Sequence, residues 1–570
     1  MRLASFPLVV LLLTPGLVYA APINVTSSEE LLVAIQKAKA GDEILLADGN
    51  YPINQSKISC SANGTEAAPI VVRAVNPLGA QLLLNTLEGF FVTGKYWRFE
   101  GLVLQGTCPD DSDCEHAFHV VGDADNFAMI GCTVRNFNAQ LKVNATKEPD
   151  GVWNTPDRGL IEGCDLGDDK PRKTSNPVTK LNIDTGDDWV VRGNFIHDFY
   201  KDGGNGISYG AFMKSGGKRG IFERNLVVCS YNVPSGGTRI GLSFGGGGTG
   251  AQFCAPAFDP NVPCNVEHED GILRNNIIAS CSDVGIYLNR AKNTRVLHNT
   301  LVATSGIDFR FDTTSGEADG NLLAGKIRNR DGATHQAKTN LAEVSEASFL
   351  AWYSDPASGD LSLKGDISSL VAKVPPRPDV LNDYCLRSRP SSPTTLGALE
   401  HTLGDCQTFP LPDGTAGSGG SQAGEAGGTT GQGGTGATGG ADGTGGSSGG
   451  GQAGSAGIGG SGVASTGGTA NTGEGGTSGT GGVAGTGAAG TNPTAGTGGA
   501  SAGFGGAAAG TGGAPAAPAA EEEGGCGCRV GGRARETPGA GWFLLTLGWP
   551  WRRKPREGCH RGNGALSRAP

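Results

Sequence analysis

Three things are missing from this 570-residue sequence: a run of roughly 20 apolar residues able to span a bilayer, a long basic stretch ahead of the final tail, and a CxxC…CxxC arrangement spaced for zinc. The first absence argues against a membrane-spanning domain. The second, with a formal net charge of −10, points away from nucleic acid as a partner. The third leaves the 14 cysteines without a metal-ribbon reading. A fourth absence is local: residues 413–525 lack aliphatic periodicity and consist almost wholly of Gly, Ala, Ser and Thr with scattered polar residues and Pro. Such a segment has no apolar face to offset the entropy of ordering, so a disordered linker is expected there, and it holds a large share of the 98 glycines.

What is present begins with residues 1–20, MRLASFPLVVLLLTPGLVYA, where Arg2 precedes an apolar core from Val9 to Leu13 and Val18-Tyr19-Ala20 stands before Ala21. This reads as a signal peptide, so the chain is expected to be exported. In an oxidising compartment, Cys108 with Cys114, Cys254 with Cys264 and Cys385 with Cys406 are spaced as loop staples. The folded part is expected over 21–412. Ser27-x-x-Glu30 opens SSEELLVAIQKAKAG as a capping box, with Leu31, Leu32 and Ile35 at helical spacing and Gly41 as a stop. Everything after that helix is short apolar runs broken by Gly, Asn and Asp, which predicts an all-β fold.

Those runs repeat. VVRGNFI (190–196), IFERNLV (221–227), ILRNNII (272–278) and VLHNTLV (296–302) each hold an Asn between apolar runs, and Asn276, Asn299 and Asn321 fall 23 and 22 residues apart. The period suits the coil of a solenoid, with Asn194, Asn225, Asn276, Asn299 and Asn321 bonded to one another at equivalent turns. Cys132 and Cys164 occupy the same turn in earlier coils and read first as small buried fillers, with a disulfide between coils as the alternative.

This pattern resembles the right-handed parallel β-helix of the pectate-lyase-like superfamily over about residues 22–400. The opening helix with AGDEILLADGNY looks like the start of the chondroitinase B and alginate lyase branch, and GDLSLKGD…NDYCLRSRPSSPTTLGALE is similar to a closing coil. The resemblance implies the fold with an N-terminal capping helix. For activity it leaves lyases, hydrolases, esterases and non-catalytic adhesins open.

Strand alternation places candidate site residues. In GAFMK, Ala211 and Met213 point inward and Phe212 and Lys214 outward; the same registration puts Lys142, Lys180, Asn182, Tyr287, Asn289, Asp308, Arg310, Arg328 and Arg330 outward. Lys142, Lys180, Lys214, Arg310 and Arg330 would form a cationic column for an anionic polymer, with Phe212 and Tyr287 for sugar faces and Asn182 and Asn289 for hydroxyls. The glycines of RIGLSFGGGGTG (239–250) are expected to bring backbone close to that face. The chemistry that fits is β-elimination on a uronic acid: the C5 proton leaves once the adjacent carboxylate is neutralised by Arg, Lys or Ca²⁺. Flanking cations would lower the pKa of a lysine from its usual value near ~10.4 and make it a base. Lys214 is the expected base, Arg239 or Arg310 the carboxylate partner, and Tyr287 or His268 the proton donor. The lyase branch implies a Lys base and an Arg partner from successive coils; Lys214 in FMKSGG matches that lysine strand, whereas Ser243-Phe244-Gly245 replaces the branch's Arg-His-Gly run.

Other readings stay open. Asp308 with Asp312 and Asp283 would serve a glycoside hydrolase, and a non-catalytic glycan-binding or adhesive solenoid would use the cations for binding alone. Asp184, Asp187 and Asp188 of NIDTGDDW read as turn caps or Ca²⁺ ligands, and Glu267, Glu269 and Asp270 of VEHEDG as a possible Ca²⁺ loop or a solvated acidic turn. Residues 526–570 carry Cys526 and Cys528, about a dozen apolar residues, then a basic cluster, similar to a myxobacterial C-terminal sorting tail. That resemblance implies processing near the cysteines and anchoring to the cell envelope at the surface; the chain is separately expected to be a monomer with an acidic polysaccharide as partner.

Overall fold

The short apolar runs become strands because each carries apolar residues on one face only, and stacking them coil on coil buries that face continuously. A computed structural model describes residues 21–233, 236–246 and 249–406. The expected signal peptide, linker and tail (1–20, 413–525 and 526–570) lie outside the described residues, as do 407–412 of the expected folded region.

Three parallel sheets run the length of the solenoid: a first of twelve strands from Ile23–Val25 to Gln336–Ala337, a second of ten from Gly49–Asn54 to Leu322–Leu323, and a third of ten from Ile58–Cys60 to Lys326–Arg330. Each coil gives one strand to each sheet, and each strand pairs with its counterpart one coil on, as Val191 with Phe222 and Phe222 with Leu273. The chain is a parallel β-helix. Its core is made of inward columns such as Val72, Phe99, Met129, Ile161, Val191 and Phe222, all buried.

The asparagines form the expected ladder. Asn194 Nδ2 donates to Asn225 Oδ1 at 3.0 Å, Asn225 to Asn276 at 2.9 Å, Asn276 to Asn299 and Asn299 to Asn321 at 3.0 Å, and the series continues to Asn340 at 2.8 Å. Each Nδ2 from Asn194 to Asn321 also donates to a backbone carbonyl, so both amide hydrogens of each of these five rungs have an acceptor. Cys132 and Cys164 are free and buried, and they carry the ladder back: Cys164 N donates to Asn194 Oδ1 at 2.9 Å and Cys132 N to Cys164 Sγ at 3.4 Å. The three expected disulfides are present, and a fourth, Cys229–Cys281, ties neighbouring coils across 52 residues.

The capping helix spans Ser28–Lys37. Ser27 Oγ accepts from Glu30 N, while Glu30 Oε2 accepts from Thr26 N rather than from Ser27. The helix ends at Ala38, ahead of Gly41, whose φ of 87° serves the following turn. Leu31, Ala34 and Ile35 close the first coil. The far end corrects an expectation. The segment from Val344 to Leu399 is not a closing coil: its helix Glu346–Trp352 and hairpin lay Phe349, Tyr353, Leu361 and Leu370 over the outer residues Leu226, Val228, Ile277 and Ala279 of the second sheet. No helix among the described residues is long and apolar enough to cross a membrane.

Candidate functional site

Of the three outer faces, the second is covered from about Phe195 to Leu322 by the C-terminal segment. The first carries ion pairs from coil to coil, Arg73–Glu43 at 2.6 Å, Arg192–Glu162 at 2.8 Å and Arg274–Glu223 at 2.6 Å. The third sheet remains, and its outer face holds two rows in register. One reads Phe91, His119, Lys142, Asn182, Phe212, Ser243, Tyr287, Asp308, Arg328. The other, two residues further along each strand, includes Asn144, Asp184, Lys214, Asn289, Arg310 and Arg330.

Lys214 ends the strand Ile207–Lys214, held outward because Ala211 and Met213 are in the core. Its Nζ is 5.0 Å from the centre of the Phe212 ring and 3.8 Å from Asp184 Oδ2. Gly246 comes close to this face: a Cβ on it would lie 3.1 Å from Lys214 Cδ, so a side chain there would press on the lysine stem. Lys142 approaches from two strands away and donates to the same Asp184 Oδ2 at 3.0 Å and to Asn182 Oδ1 at 3.2 Å. Ser215, left-handed at φ 59°, donates through Oγ to Asp184 Oδ1, while its backbone N donates to Glu267 Oε2 at 3.1 Å. Thr249 Oγ1 also donates to Glu267, at 3.0 Å.

Two carboxylates therefore flank the lysine, shifted in opposite directions. Burial would raise Asp184, but the Lys142 and Lys214 ammoniums and the Ser215 hydroxyl outweigh it and hold its carboxyl well below the usual range. Burial dominates at Glu267 and pushes its carboxyl up, against the pull of Lys214 and the Ser215 N–H. Beside this group, Asn144, Ala145, Trp153, Asp184, Phe253 and Phe258 line a shallow recess with room for little more than a water molecule, and the Trp153 and Phe258 rings stack on each other at 4.6 Å at its edge. Aromatic faces of this kind suit the apolar faces of sugar rings.

Several expected site residues do other work. Lys180 is fully buried under the turn from the second sheet, donating to Asp168 Oδ2 at 2.6 Å and Phe137 O at 2.7 Å. Arg239, also buried, donates to Cys229 O at 2.8 Å, Gly236 O at 3.1 Å and the Ser230 hydroxyl, and lies 4.9 Å from the Tyr200 ring. It holds the loop leading into its own strand. His268 is buried against Phe244, ring centres 4.1 Å apart, and accepts from Gly220 N. Arg310 binds Asp331 at 2.7 Å and the Tyr287 hydroxyl at 2.9 Å, and Arg330 and Arg328 both clamp the buried Asp308. The cationic column is thus interleaved with carboxylates, and the groups closest to Lys214 are anions, not cations. Asp308, engaged by two guanidiniums, makes a poor partner for Asp312 in hydrolysis. Asn289 lies beside Tyr287, its Nδ2 3.3 Å from the hydroxyl.

The acidic Ca²⁺ loop is not assembled either. Glu267 faces Ser215, Glu269 pairs with Lys292 at 2.6 Å, and Asp270 accepts from Asn293 at 2.6 Å. Asp187 and Asp188 are taken by Arg219. Among the described residues, the cluster that could hold a metal ion is Glu88 with His116 and His119. These three, and the role of Asp184 as hub, had no signal in the repeat; the HAFH spacing was the one visible hint.

Residues 25–157 match the family model described as chondroitinase B. No curated protein matches the chain. Among solved structures the chain is similar to a pectate lyase (14% identity, 67% of this chain and 96% of that one, TM-score 0.42), a rhamnogalacturonan lyase (15%, 61% and 96%, 0.39) and an alginate lyase from Paenibacillus sp. (16%, 57% and 99%, 0.32).

Proposed function

We propose that this chain is an exported lyase that cleaves a uronic-acid polysaccharide by β-elimination on the outer face of the third sheet, with Lys214 as the base. The observation that carries the reading is the placement of Lys214 on that face beneath Gly246, sharing Asp184 with Lys142. The family match over the first coils supports the same chemical class.

In this reading the Lys214 amine, its own proton lost to solvent before the step, takes the C5 proton of the uronate. The electron pair becomes the C4–C5 double bond as the C4–O bond breaks, and the leaving oxygen takes a proton from the Lys214 ammonium just formed. Lys142 neutralises the substrate carboxylate, exchanging part of its hold on Asp184. The residues around Asp184 do not suit Ca²⁺, because the oxygens of Asp184 and Asn182 already accept from ammonium and hydroxyl groups; no step is assigned to that ion. Trp153 and Phe258 receive sugar faces. The sorting-type tail would tether the enzyme to the cell surface.

The test is incubation of the chain with alginate, pectate and chondroitin sulfate, following both ultraviolet absorbance of the unsaturated product and reducing ends. Absorbance that disappears in Lys214→Ala while polymer binding persists is the expected outcome. Absorbance that survives removes Lys214 as base; reducing ends without absorbance mean hydrolysis, and binding with neither signal means an adhesive solenoid.

A further inference from the structure

Glu88, His116 and His119 converge on the outer side of the third sheet, one ligand atom of each lying within 4.8 Å of the others. Glu88 stands just before the strand Phe90–Val92, and both histidines belong to the next coil's strand, His116–Val121. Side chains three residues apart on a regular strand leave opposite faces. Here the ladder pairs His116 with Ala139 and Phe118 with Leu141 but passes over Ala117, and both rings reach one carboxylate oxygen. His116 Nδ1 is 3.3 Å from Glu88 Oε2, and His119 Nδ1 also contacts that oxygen. Both histidines are buried, while the Glu88 side chain keeps 18% of its surface open.

The other ring nitrogen of His119 decides what this contact means. Nε2 lies 3.1 Å from Asn144 Oδ1, an oxygen that only accepts, so Nε2 carries a proton. In the neutral ring Nδ1 then has a lone pair aimed at the lone pairs of Glu88. Two acceptors facing each other require a cation between them, either a second proton on the ring or a metal ion. A second proton on His119 serves one ring nitrogen only, and His116 Nδ1 faces the same Glu88 oxygen. A metal ion satisfies His116 as well. Two imidazoles and one carboxylate form the donor set of a divalent first-row transition ion such as zinc, whereas Ca²⁺ takes oxygen ligands. The Asn144 amide supplies the outer hydrogen bond that fixes the tautomer and orientation of a metal-bound histidine, and the edge-on Phe91 ring, centre 5.4 Å away, walls one side.

We propose that Glu88, His116 and His119 bind a zinc-class divalent ion, with the remaining coordination position open toward the outer face of the third sheet. The site lies three strands from Lys214, about 14 Å by strand spacing, and stands whether or not elimination occurs there.

The experiment titrates Zn²⁺ and Co²⁺ into the metal-stripped, untagged full chain by calorimetry, with Co²⁺ absorption as a second readout. One ion per chain is expected, and the Co²⁺ spectrum should show nitrogen and oxygen ligation without thiolate charge transfer, which separates this site from the tail cysteines. His119→Ala and Glu88→Gln should abolish that binding, and Asn144→Ala should weaken it roughly tenfold. Because a variant can fail to fold, nitrogen-15 shifts of the histidines in the unmodified chain provide a separate measure: zinc should move the Nδ1 resonances of His116 and His119. No binding of either ion, binding unchanged by the substitutions, or a His119 ring that stays doubly protonated with zinc in excess would each overturn the proposal.

Discussion

Lys180 Nζ donates to Asp168 Oδ2 at 2.6 Å, and neither side chain reaches solvent. Breaking a buried pair by removing one partner strands the other charge, at a cost on the order of 3 to 5 kcal/mol. Lys180→Ala is therefore expected to lower stability by about that amount in chemical denaturation, while Lys180→Met with Asp168→Leu recovers most of it. Weakened polymer binding in Lys180→Ala at unchanged stability would return this lysine to the binding surface.

Arg239 is expected to act in the same way. Its guanidinium satisfies the carbonyls of Cys229 and Gly236, and each buried acceptor left unpaired costs roughly 1 to 3 kcal/mol. Arg239→Ala should reduce the unfolding free energy by a few kcal/mol, and any activity should fall only with the folded fraction. A pure loss of turnover at full stability would contradict this placement.

Acid sensitivity should come from buried histidines. Burial lowers His268 to about 3, and burial with Arg389 nearby lowers His298 to about 3, against roughly 6.5 in an unfolded chain. Between those values the unfolded state binds more protons. The stability these groups contribute is complete above about pH 6.5 and is lost as pH falls toward the folded values, on the order of 1 kcal/mol per pH unit for each ring. His268→Gln should flatten that slope by one ring's share in urea unfolding measured across this window; an unchanged slope would show that His268 titrates normally.

The ladder predicts position-dependent damage. Asn276 donates to Asn299 Oδ1 and Phe222 O and accepts from Asn225 Nδ2 and N, so Asn276→Ala takes a partner from Phe222 O and from both nitrogens of Asn225 on the preceding coil. A loss of roughly 2 to 4 kcal/mol is expected, larger than for the exposed Asn293→Ala. Equal losses at the two positions would mean the ladder adds nothing beyond surface polarity.

The ladder was legible because a period of one coil repeats the same residue at the same turn, and Asn194 through Asn321 needed no tertiary information. Outward direction was legible for Lys142, Phe212 and Lys214 for a similar reason, since alternation around Ala211 and Met213 fixes the face. Exposure was not legible. Whether an outward residue meets water depends on the turns that cross it, and these differ from coil to coil: the turn holding Asp168 and Arg172 covers Lys180, and Cys229, Ser230 and Gly236 close over Arg239. The Glu88 and histidine cluster was hidden because its partners sit in different coils and an irregular ladder at Ala117 brings together rings that plain alternation would separate. The C-terminal segment misled because its alternation, as in Asp360–Leu363, suits a coil strand equally well as a hairpin laid over Leu226 and Ile277.

The amide ladder has a direction: every Nδ2 from Asn194 to Asn321 points toward the C-terminal neighbour, and the terminal Asn340 turns its own Nδ2 to Ala318 O at 2.8 Å. A gene segment encoding one whole coil can thus be duplicated in frame without disturbing its neighbours, because the new coil arrives with a donor for the next rung and an acceptor for the last. A partial duplication would break the chain of donors at two places. Insertion of whole coils thereby keeps the chain of donors intact and lengthens the outer face of the third sheet by one strand spacing at each step, about 4.8 Å.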